Sequence, residues 1–531
     1  MNTKESSTLE QEFDIHIIGS GIGAMTAAVL LAKIYKKRVC LLEQHWTAGG
    51  QTQTFKRKRK YEWDVGVHYI GNLQGKGLDA QISQYIFNDK LSWRPLAEHY
   101  DKIRFQDAKF DVHQQGNDFK QSLIKQFPYE KNAIERYFDD IAKTQQWYHR
   151  LFASQLVPSA IAPILKGINW FGNKRAQQTL ANYLERKFTS PELKNIIAAR
   201  WGDYGLAPQE SNFAIHALVM GSYFQGAYYP EGGSKAVAEI LLEELRAHGG
   251  DCLTNVKVKR IVTEKDKVTA LEVIEHYHTP KAREMTLNVQ QVLSSAGAYN
   301  TYRKLLDKPL FDALEQGGRS MGTLCLYLAL DRDPSELGFS NSNYWLYPSK
   351  ANGKLLNKNN TFYFLSFPSL KQGQQDAHLA EVTCTVSADK FEQWQGTTWK
   401  RRGKDYRALK QQLTDEVIEA VCQQYPQLRD AICYEELSTP LSMEFFTQHP
   451  GGSFYGVPFV PGREHLEYCQ AKTPFSNLFL CGQDVVSLGF VGAMMGGAIS
   501  AVVSQGNRTF PKFQAELTKR DKAKSTVEMT E

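Results

Sequence analysis

Paired cysteines, a strong net charge and a secretory leader are all missing from this chain of 531 residues. Its eight cysteines form no CxxC pair and show no zinc-like spacing, which excludes a disulfide scaffold and predicts no metal site. The net charge of only +6 argues against a dedicated nucleic-acid binder. The start MNTKESSTLEQEF has no apolar signal-peptide core. We therefore expect a cytoplasmic protein of a reducing compartment that binds no nucleic acid.

The signatures of several common enzymes are absent as well. The chain has no G-x-S-x-G elbow, no HExxH and no P-loop. What remains is an ordinary globular composition, in a chain whose length suggests about three domains. Aromatic residues make up 12% of the chain, enough ring surface to line a core or a long apolar cleft. Size and composition together exclude a small binding module and a disordered chain.

Two charge-free stretches, residues 15–32 and 485–507, reach the length of a membrane-spanning helix. Both are rich in glycine, which is poor in a lone spanning helix but suits a strand, turn and helix that approach a ligand closely. We therefore predict two buried cofactor-binding elements and no transmembrane span.

Two further segments each leave two interpretations open. The basic run KRKRK at residues 56–60 is predicted to be a solvated turn, or else a contact with anionic lipid or a cofactor phosphate. The apolar segment 156–171, which has Lys166 within it and Lys174 and Arg175 after it, is predicted to be an interfacial membrane patch or a helix pair packed on the core.

A glycine-rich turn follows the first predicted strand and precedes a predicted helix over residues 22–35. Gly19, Gly21 and Ala24 fit the G-x-G-x-x-G/A pattern, with Gly23 inside it. The first glycine allows the tight turn, the second lets a pyrophosphate approach, and the small third residue lets the helix pack on the strand. Free N–H groups at the helix N-terminus then favour phosphate. The pattern predicts a dinucleotide site.

An acidic residue, Glu43, ends the second predicted strand, at the position where such folds hold ribose hydroxyls. It favours NAD or FAD over NADP, because a 2′-phosphate would meet its charge. Gly49, Gly50 and Gln51 follow at once, which suggests that the ligand extends beyond the ribose. No second G-x-G-x-x-G is present for another nucleotide fold.

The chain resembles the all-trans-retinol saturase branch of the FAD-dependent phytoene desaturase and carotenoid isomerase superfamily. The resemblance spans nearly the whole chain, although residues 303–440 match only loosely and Gln51 and Thr52 stand where relatives often have cysteines. The motifs that carry it are Glu43-Gln-His45, Ala48-Gly-Gly50, Phe55, Asp64-Val-Gly66, Val67-His68-Tyr69-Ile70-Gly71, Gly202-Asp203-Tyr204-Gly205, His216, Tyr228-Tyr229-Pro230-Glu231-Gly232-Gly233, Ser295-Ala296-Gly297-Ala298-Tyr299-Asn300-Thr301-Tyr302, Leu480-Cys481-Gly482-Gln483-Asp484 and Gly489-Phe490-Val491-Gly492-Ala493.

The resemblance implies a bound, extended FAD. The adenosine ribose would meet Glu43, the adenine would meet the backbone at Val258, and Asp484 would bind the ribityl chain or the pyrophosphate. Amides near Val491 and Gly492 would face the flavin carbonyl at a helix N-terminus, where the dipole stabilises negative charge. The residues implied to hold FAD are Gly19, Gly21, Gly23, Ala24, Glu43, Gly49, Gly50, Gln51, Val258, Gly482, Asp484, Gly489, Val491 and Gly492.

The chemistry implied by the resemblance is hydride exchange between flavin N5 and a carbon of a conjugated C=C bond. His68 and Tyr69 are the candidates for moving the accompanying proton or for orienting the substrate. The candidate substrate contacts are Gly66, Tyr204, His216 and Tyr229. Saturation, desaturation and isomerisation all remain open, as does the electron donor or acceptor.

The predicted fold class is α/β: a two-domain FAD-binding flavoprotein with a Rossmann-type βαβ unit and a mixed α+β substrate domain. The FAD-binding domain is assigned to residues 10–75, 230–310 and 475–510, and the substrate-binding domain to residues 76–229 and 311–474. Residues 512–531 are predicted to form a flexible tail.

The expected partners are a lipophilic polyene, retinoid or carotenoid and a membrane surface that the protein contacts peripherally. Two alternative functions stay open on the same fold. One is a flavin amine oxidase, which oxidises a C–N bond. The other is a non-catalytic carrier of prenyl lipids, which would hold no redox flavin.

Overall fold

Strand β1 (Ile15–Ile18), helix α1 (Ile22–Tyr35) and strand β2 (Val39–Glu43) form the predicted βαβ unit. Every residue of both strands is buried, as expected for parallel strands that are covered on both faces. The two strands pair in parallel. Helix α1 ends where Lys36 adopts a left-handed conformation with φ 57°. The Rossmann-type opening of the fold is confirmed.

The structure, a computed structural model, describes residues 9–528 except 10, 72, 74, 76, 158–160, 317–321 and 374–376. The strands after β2 are β3 (Thr54–Arg57), β4 (Tyr61–Asp64), β5 (Ile70–Gly71), β6 (Trp93–Pro95), β7 (His99–Arg104), β8 (Lys109–His113), β9 (Ala227–Pro230), β10 (Asp251–Thr254), β11 (Val256–Glu264), β12 (Lys267–Glu275), β13 (Arg283–Asn288), β14 (Val292–Ser294), β15 (Gly322–Leu330), β16 (Asn343–Leu346), β17 (Tyr363–Ser366), β18 (His378–Val386), β19 (Ile432–Ser438) and β20 (Leu478–Leu480).

The helices after α1 surround two main sheets. They are α2 (Leu78–Phe87), α3 (Gly116–Gln126), α4 (Lys131–Leu156), α5 (Ala162–Gln177), α6 (Leu180–Lys187), α7 (Pro191–Ala198), α8 (Phe213–Ser222), α9 (Ser234–Ala247), α10 (Ala313–Gln316), α11 (Pro368–Gln372), α12 (Gly403–Gln424), α13 (Pro440–Thr447), α14 (Gly489–Ser504) and α15 (Phe510–Glu528).

The first main sheet is parallel, with strand order β10-β2-β1-β14-β20. Helices α9 and α14 pack against α1 on this sheet. The carboxyl ends of its strands therefore meet at one edge, which is where open α/β sheets bind ligands. The strands come from parts of the chain that lie far apart in sequence.

The second main sheet is mixed, with strand order β19-β15-β18-β17-β16-β7-β8. Long helix α12 covers part of it and contributes to a separate apolar core. Smaller sheets of order β11-β12-β13, β3-β4 and β5-β9-β6 complete the fold. A parallel sheet beside a mixed sheet is the two-part α/β architecture that the sequence predicts, and the fold class is confirmed.

Two surface segments bear on the sequence predictions. The basic run forms the turn of the β3–β4 hairpin, where Lys58 and Arg59 adopt left-handed conformations, so the predicted turn is confirmed. Helix α15 extends to Glu528 and so includes most of the tail that is predicted for residues 512–531. The helix is anchored by Phe513 and Leu517, whose side chains are buried.

Within the described ranges, no single helix is long and apolar enough to cross a membrane. Only α14 taken together with residues 507–519 passes that test, and the two helices meet at an angle of 107°. Most of α14 is buried inside the protein.

Candidate cofactor and substrate site

One cavity of about 2070 Å³ extends from the carboxyl edge of the parallel sheet to the mixed sheet. Most of the predicted site residues line it, and they come from parts of the chain that lie far apart in sequence. The predicted residues in the lining are Gly19, Gly21, Gly23, Glu43, Gly50, Gln51, Gly66, His68, Tyr69, Val258, Gly482, Gly489, Val491 and Gly492. The predicted residues outside it are Ala24, Gly49, Tyr204, His216, Tyr229 and Asp484.

The glycine turn before α1 forms a cradle that opens into this cavity. A Cβ built on Gly21 would meet no protein atom within 4 Å, so the backbone here is bare toward the cavity. Gly50 closes the other side, because its Cβ would lie 2.9 Å from the Cα of Gly21. Helix α1 has no side-chain cap, which leaves its first N–H groups for an external acceptor. A phosphate group fits this cradle.

Glu43 ties the cradle to the end of β2. Its Oε2 accepts hydrogen bonds from the backbone N–H of Ser20 at 3.0 Å and from the Ser20 hydroxyl at 2.6 Å. Its Oε1 accepts one from the backbone N–H of His45 at 2.8 Å. Burial raises the pKa of this carboxyl. A carboxylate oxygen has two lone pairs, so Oε1 retains one for a ribose hydroxyl.

A second uncapped helix N-terminus faces the same cavity at the start of α14. Leu488 precedes the helix and makes no side-chain cap, while Gly489, Val491 and Gly492 line the cavity. The N–H groups and the positive end of the helix dipole therefore favour a negatively charged group there. Two such helix termini on one long cavity fit the diphosphate and the flavin ring of FAD.

Asp484 lies behind the cavity lining. Its Oδ2 accepts from the backbone N–H of Ala298 at 2.7 Å and its Oδ1 from that of Val457 at 2.8 Å. The side chain is buried and does not line the cavity. Its two hydrogen bonds connect the chain segments that contain Ala298 and Val457. Ala24 and Gly49 also lie behind the lining: Ala24 packs within the core, and the N–H of Gly49 donates to the Ser20 hydroxyl.

Three predicted substrate contacts are core residues instead. The Tyr137 hydroxyl lies 2.8 Å from His216 Nε2, and the Tyr204 hydroxyl lies 3.2 Å from His216 Nδ1. His216 is fully buried, and burial, together with the charge of Arg200, lowers its pKa to about 3. Tyr229 is also buried and donates a hydrogen bond to Asp64. These polar aromatic residues satisfy one another inside the fold, away from the cavity.

The two catalytic candidates both reach the cavity. His68 Nδ1 lies 3.1 Å from Glu381 Oε2, although the ring N–H is not aligned for a hydrogen bond. The Tyr69 hydroxyl donates to Asp203 Oδ2 at 2.8 Å and lies 3.4 Å from Asp101 Oδ2. Burial raises the pKa of Tyr69 well above its ordinary value, and the carboxylates add to that effect.

Asp203 is a cavity-lining carboxyl group that the sequence prediction did not select as a site residue. It lines the cavity, and burial raises the pKa of its carboxyl to about 8, with the charge of Asp101 as the second cause. The available signal was the motif Gly202-Asp203-Tyr204-Gly205, from which the sequence prediction selected Tyr204.

Aromatic rings cover much of the remaining wall. Tyr69 stacks on Tyr223 with ring centroids 4.8 Å apart, and the ring of Phe364 lies edge-on to His68 at 5.2 Å. Other apolar side chains continue the wall toward α4 and α14: Phe152, Leu156, Trp345, Phe362, Phe454, Phe490, Met495 and Ile499. Such a wall suits a long apolar ligand.

A model of the family described as flavin containing amine oxidoreductase matches residues 25–502. The chain belongs to this family. Its cofactor is FAD, which the residues described above fit, and the protein is an FAD-dependent oxidoreductase. The uncapped N-termini of helices α1 and α14, which both face the cavity, fit the flavin cofactor of this family.

Two relatives and one solved structure are similar to this chain over most of its length. An all-trans-retinol 13,14-reductase of Danio rerio is 30% identical over 92% of this chain and 86% of that protein. A chloroplastic prolycopene isomerase of Daucus carota is 24% identical over 92% of this chain and 80% of that protein. Among solved structures, a putrescine oxidase bound to putrescine superposes with a TM-score of 0.59 at 15% identity, covering 95% of this chain and 99% of that one. That likeness shows the fold alone.

Proposed function

We propose that this flavoenzyme reduces a C=C bond of a polyene or isoprenoid substrate, in the manner of a retinol saturase. One observation carries the proposal: a single cavity joins the glycine cradle to a long aromatic and apolar wall. A cofactor held at the cradle and a polyene held along that wall would meet inside one enclosure. The similarity to retinol reductases and prolycopene isomerases supports a conjugated substrate.

The roles of individual residues follow from their places in the cavity. Gly21 and Gly50 would admit the pyrophosphate, Glu43 would hold a ribose hydroxyl, and the amides at Val491 and Gly492 would face the flavin. Bound FAD supplies hydride chemistry at N5. The chain itself orients the polyene, excludes water from the apolar wall and supplies the proton that accompanies the hydride.

Product analysis tests this proposal. The FAD-loaded protein is kept reduced with dithionite under anaerobic conditions and incubated with all-trans-retinol or a carotene. Mass spectrometry of the extracted lipid is expected to show a product that has gained two hydrogen atoms.

The amine oxidase alternative is tested in the same preparation. The solved structures of similar fold include amine oxidases, so an amine substrate is the specific competitor. The oxidised protein is mixed anaerobically with putrescine or cyclohexylamine. Our proposal predicts no bleaching of the flavin absorbance. Bleaching by an amine, with no reduced polyene formed, would replace the proposed function by amine oxidation.

We further propose that helix α5 docks the enzyme on an anionic membrane surface. Five of the seven large apolar side chains that are exposed in the described ranges lie in or just before this helix: Ile161, Ile164, Ile168, Trp170 and Phe171. Exposed Lys174 follows them on the next turn, which favours anionic lipid. Helix α5 packs on α4, and Phe152 and Leu156 of α4 line the cavity, so the patch lies beside a route for a lipid substrate.

Co-sedimentation with vesicles tests the docking surface. The wild type is expected to sediment with phosphatidylcholine vesicles that contain phosphatidylglycerol, and less with phosphatidylcholine alone. A double variant Trp170→Ser, Phe171→Ser is expected to remain in the supernatant while its flavin absorbance is unchanged. A double variant that sediments like the wild type would remove α5 as the docking surface.

A further inference from the structure

Asp203 is held at the cavity wall by contacts on three sides. Its backbone N–H donates to the carbonyl of Arg200 at 3.1 Å, and its own carbonyl accepts from the Tyr455 hydroxyl at 2.9 Å. Its Oδ2 accepts from the Tyr69 hydroxyl at 2.8 Å. Its Oδ1 accepts no hydrogen bond from any residue in the described part of the chain, and the residue lines the cavity. One carboxyl oxygen is therefore fixed and the other is left for a ligand.

The positive charge near Asp203 and Asp101 does not suffice to stabilise both side chains as carboxylates. Asp101 Oδ2 lies 3.4 Å from the same Tyr69 hydroxyl, so two carboxyl groups meet at one phenol. Arg200 Nη1 lies 3.5 Å from Asp101 Oδ2, and Asn343 donates to Asp101 Oδ1 at 3.1 Å. Asp203 forms no ion pair with any described residue. Asp101 therefore holds the negative charge, and a proton is favoured on Asp203.

The buried amine of Lys371 does not change this balance. Lys371 Nζ donates to the backbone carbonyl of His68 at 2.7 Å and to the Ser366 hydroxyl at 2.6 Å. It also donates to the side-chain carbonyl of Asn343. It reaches Asp101 only through Asn343 and makes no direct contact with Asp203. Burial lowers the pKa of Lys371 to about 7, which further weakens it as a counter-charge.

We propose that Asp203 is the catalytic general acid of this cavity and that Tyr69 is its positioning residue. The inference rests on the proposed reduction of a C=C bond and names the group that completes it. A general acid in an enzyme is effective when it is protonated at the working pH but releases its proton readily. A carboxyl group that is partly buried beside a second, charged carboxylate has this property.

The reaction balances with this assignment. The π bond of the substrate would break, and one of its carbons would gain a hydride, for which bound reduced FAD would be the two-electron donor. The O–H bond of Asp203 breaks, and its proton forms a C–H bond on the neighbouring carbon. The Asp203 carboxylate is left at the cavity wall and takes a proton from solvent when the product leaves. In the opposite direction the same carboxylate would remove the proton.

Tyr69 is the weaker proton donor of the pair. Its pKa is raised well above its ordinary value, whereas that of Asp203 is raised to about 8, so a proton leaves Asp203 far more readily. The Tyr69 hydroxyl instead donates to Oδ2 and leaves Oδ1 of this cavity-lining residue without a donor. Tyr69 therefore acts on the reaction through Asp203.

The variant Asp203→Asn tests the catalytic assignment. Asn retains an acceptor for the Tyr69 hydroxyl but carries no titrating proton. In the FAD-loaded protein we expect the rate of retinol reduction to fall by about 10²–10⁴-fold, with flavin absorbance and retinol binding unchanged. Asp139→Asn is the matched control, because Asp139 is exposed on α4 and outside the cavity. It is expected to retain the wild-type rate.

The pH dependence distinguishes proton transfer from a structural effect. The wild-type rate is expected to fall as pH rises through about 8, since only protonated Asp203 donates. Tyr69→Phe removes a hydrogen bond to the carboxylate, so this limb should move to higher pH. The titratable groups that interact electrostatically with Asp203 are Tyr69, Tyr100, Asp101, Arg200, Tyr204, Tyr223, Tyr347 and Tyr455. Asp203→Asn should lack the limb altogether.

Infrared difference spectroscopy gives a readout without turnover. The FAD-loaded wild type is titrated from pH 6 to pH 10, and a protonated-carboxyl band is expected to disappear near pH 8. Burial and the charge of Glu381 also raise the pKa of Asp64, to about 7, and this residue titrates in every variant. The component that titrates near pH 8 should be absent from Asp203→Asn and present in Asp139→Asn. A component near pH 8 that persists in Asp203→Asn would overturn the assignment.

Two further results separate this inference from the proposed function. If the wild type reduces retinol and Asp203→Asn keeps its rate and pH limb, the acid assignment fails while the function stands. If His68→Gln, and not Asp203→Asn, loses the limb, the acid is His68 and our assignment is wrong. If the wild type reduces no polyene, the proposed function fails, and the inference fails with it whatever the infrared titration shows.

Discussion

Gly23 and Gly482 lie so close together that a Cβ on Gly23 would be 2.6 Å from the Cα of Gly482. The same Cβ would lie 2.8 Å from the carbonyl oxygen of Ala493, in helix α14. Gly21, two residues earlier in the same motif, has open space at its Cβ position. The two glycines therefore differ in their surroundings: Gly23 allows helices α1 and α14 to touch, and Gly21 leaves backbone open toward the cavity.

The contrast predicts opposite behaviour for two alanine variants. Gly23→Ala should lower the free energy of unfolding by about 1–3 kcal/mol, because its methyl group would press on backbone that cannot yield. Gly21→Ala should leave the stability of the FAD-free protein nearly unchanged but weaken FAD binding. Denaturant unfolding and flavin titration measure the two effects. Equal losses of stability in both variants would contradict the division.

Glu43 supplies a second prediction about the cofactor cradle. Glu43→Gln removes a carboxylate that accepts three hydrogen bonds from Ser20 and His45. We expect weaker FAD binding and a stability loss of about 1–3 kcal/mol, since buried donors lose their acceptor. Exposed Glu185→Gln is the control. An unchanged FAD affinity would show that Glu43 organises the turn without touching the ribose.

The lowered pKa of buried His216 predicts how the free energy of unfolding depends on pH. Its pKa is lowered from 6.5 to about 3 in the folded protein, so below pH 6.5 the unfolded chain binds a proton that the folded chain excludes. The free energy of unfolding should therefore fall as pH drops from 6.5 toward 3, by up to about 1.4 kcal/mol per pH unit from this residue.

The variant His216→Gln checks that contribution. Gln keeps one donor and one acceptor for Tyr137 and Tyr204 but does not titrate. Unfolding at pH 7.5 and pH 5 should show a smaller pH dependence for the variant than for the wild type. His16 and His45 also have lowered pKa values and remain in both proteins, so only the difference is assigned to His216. Identical pH dependences would rule out its buried neutral state.

His68 offers a direct comparison with Asp203. It lines the cavity beside Glu381, and the sequence favoured it as a proton donor. If Asp203 is the acid, His68→Gln should lower the rate less than tenfold and preserve the loss of activity above pH 8. The same steady-state assay at several pH values decides the question.

The sequence was sufficient to predict features that depend on neighbouring residues. The βαβ unit and its glycine turn lie within 30 residues, from Ile15 to Glu43, where strand, turn and helix signals are local. The fold class and FAD followed from these signals and from the resemblance across the chain. The hairpin turn of the basic run was likewise predictable.

The direction in which each side chain points could not be predicted from local sequence signals. In the motif Gly202-Asp203-Tyr204-Gly205, Asp203 faces the cavity and Tyr204 faces His216, yet both are plausible site residues in sequence. Helix α8 places His216 behind the cavity lining, where Tyr204 contacts it. Asp484 is a similar case, because its backbone partners Ala298 and Val457 are distant in sequence. Such pairings depend on tertiary packing and have no periodic signal.

The most direct test of the central claim is the reoxidation of reduced flavin by a polyene. The FAD-loaded protein is reduced to completion without oxygen and mixed with all-trans-retinol, and the flavin absorbance is followed over time. We predict that the oxidised flavin bands return and that one retinol is consumed for each flavin. Two results together would contradict the account. The flavin bands of the reduced protein would stay bleached after retinol or a carotene is added, and an amine would bleach the flavin of the oxidised protein.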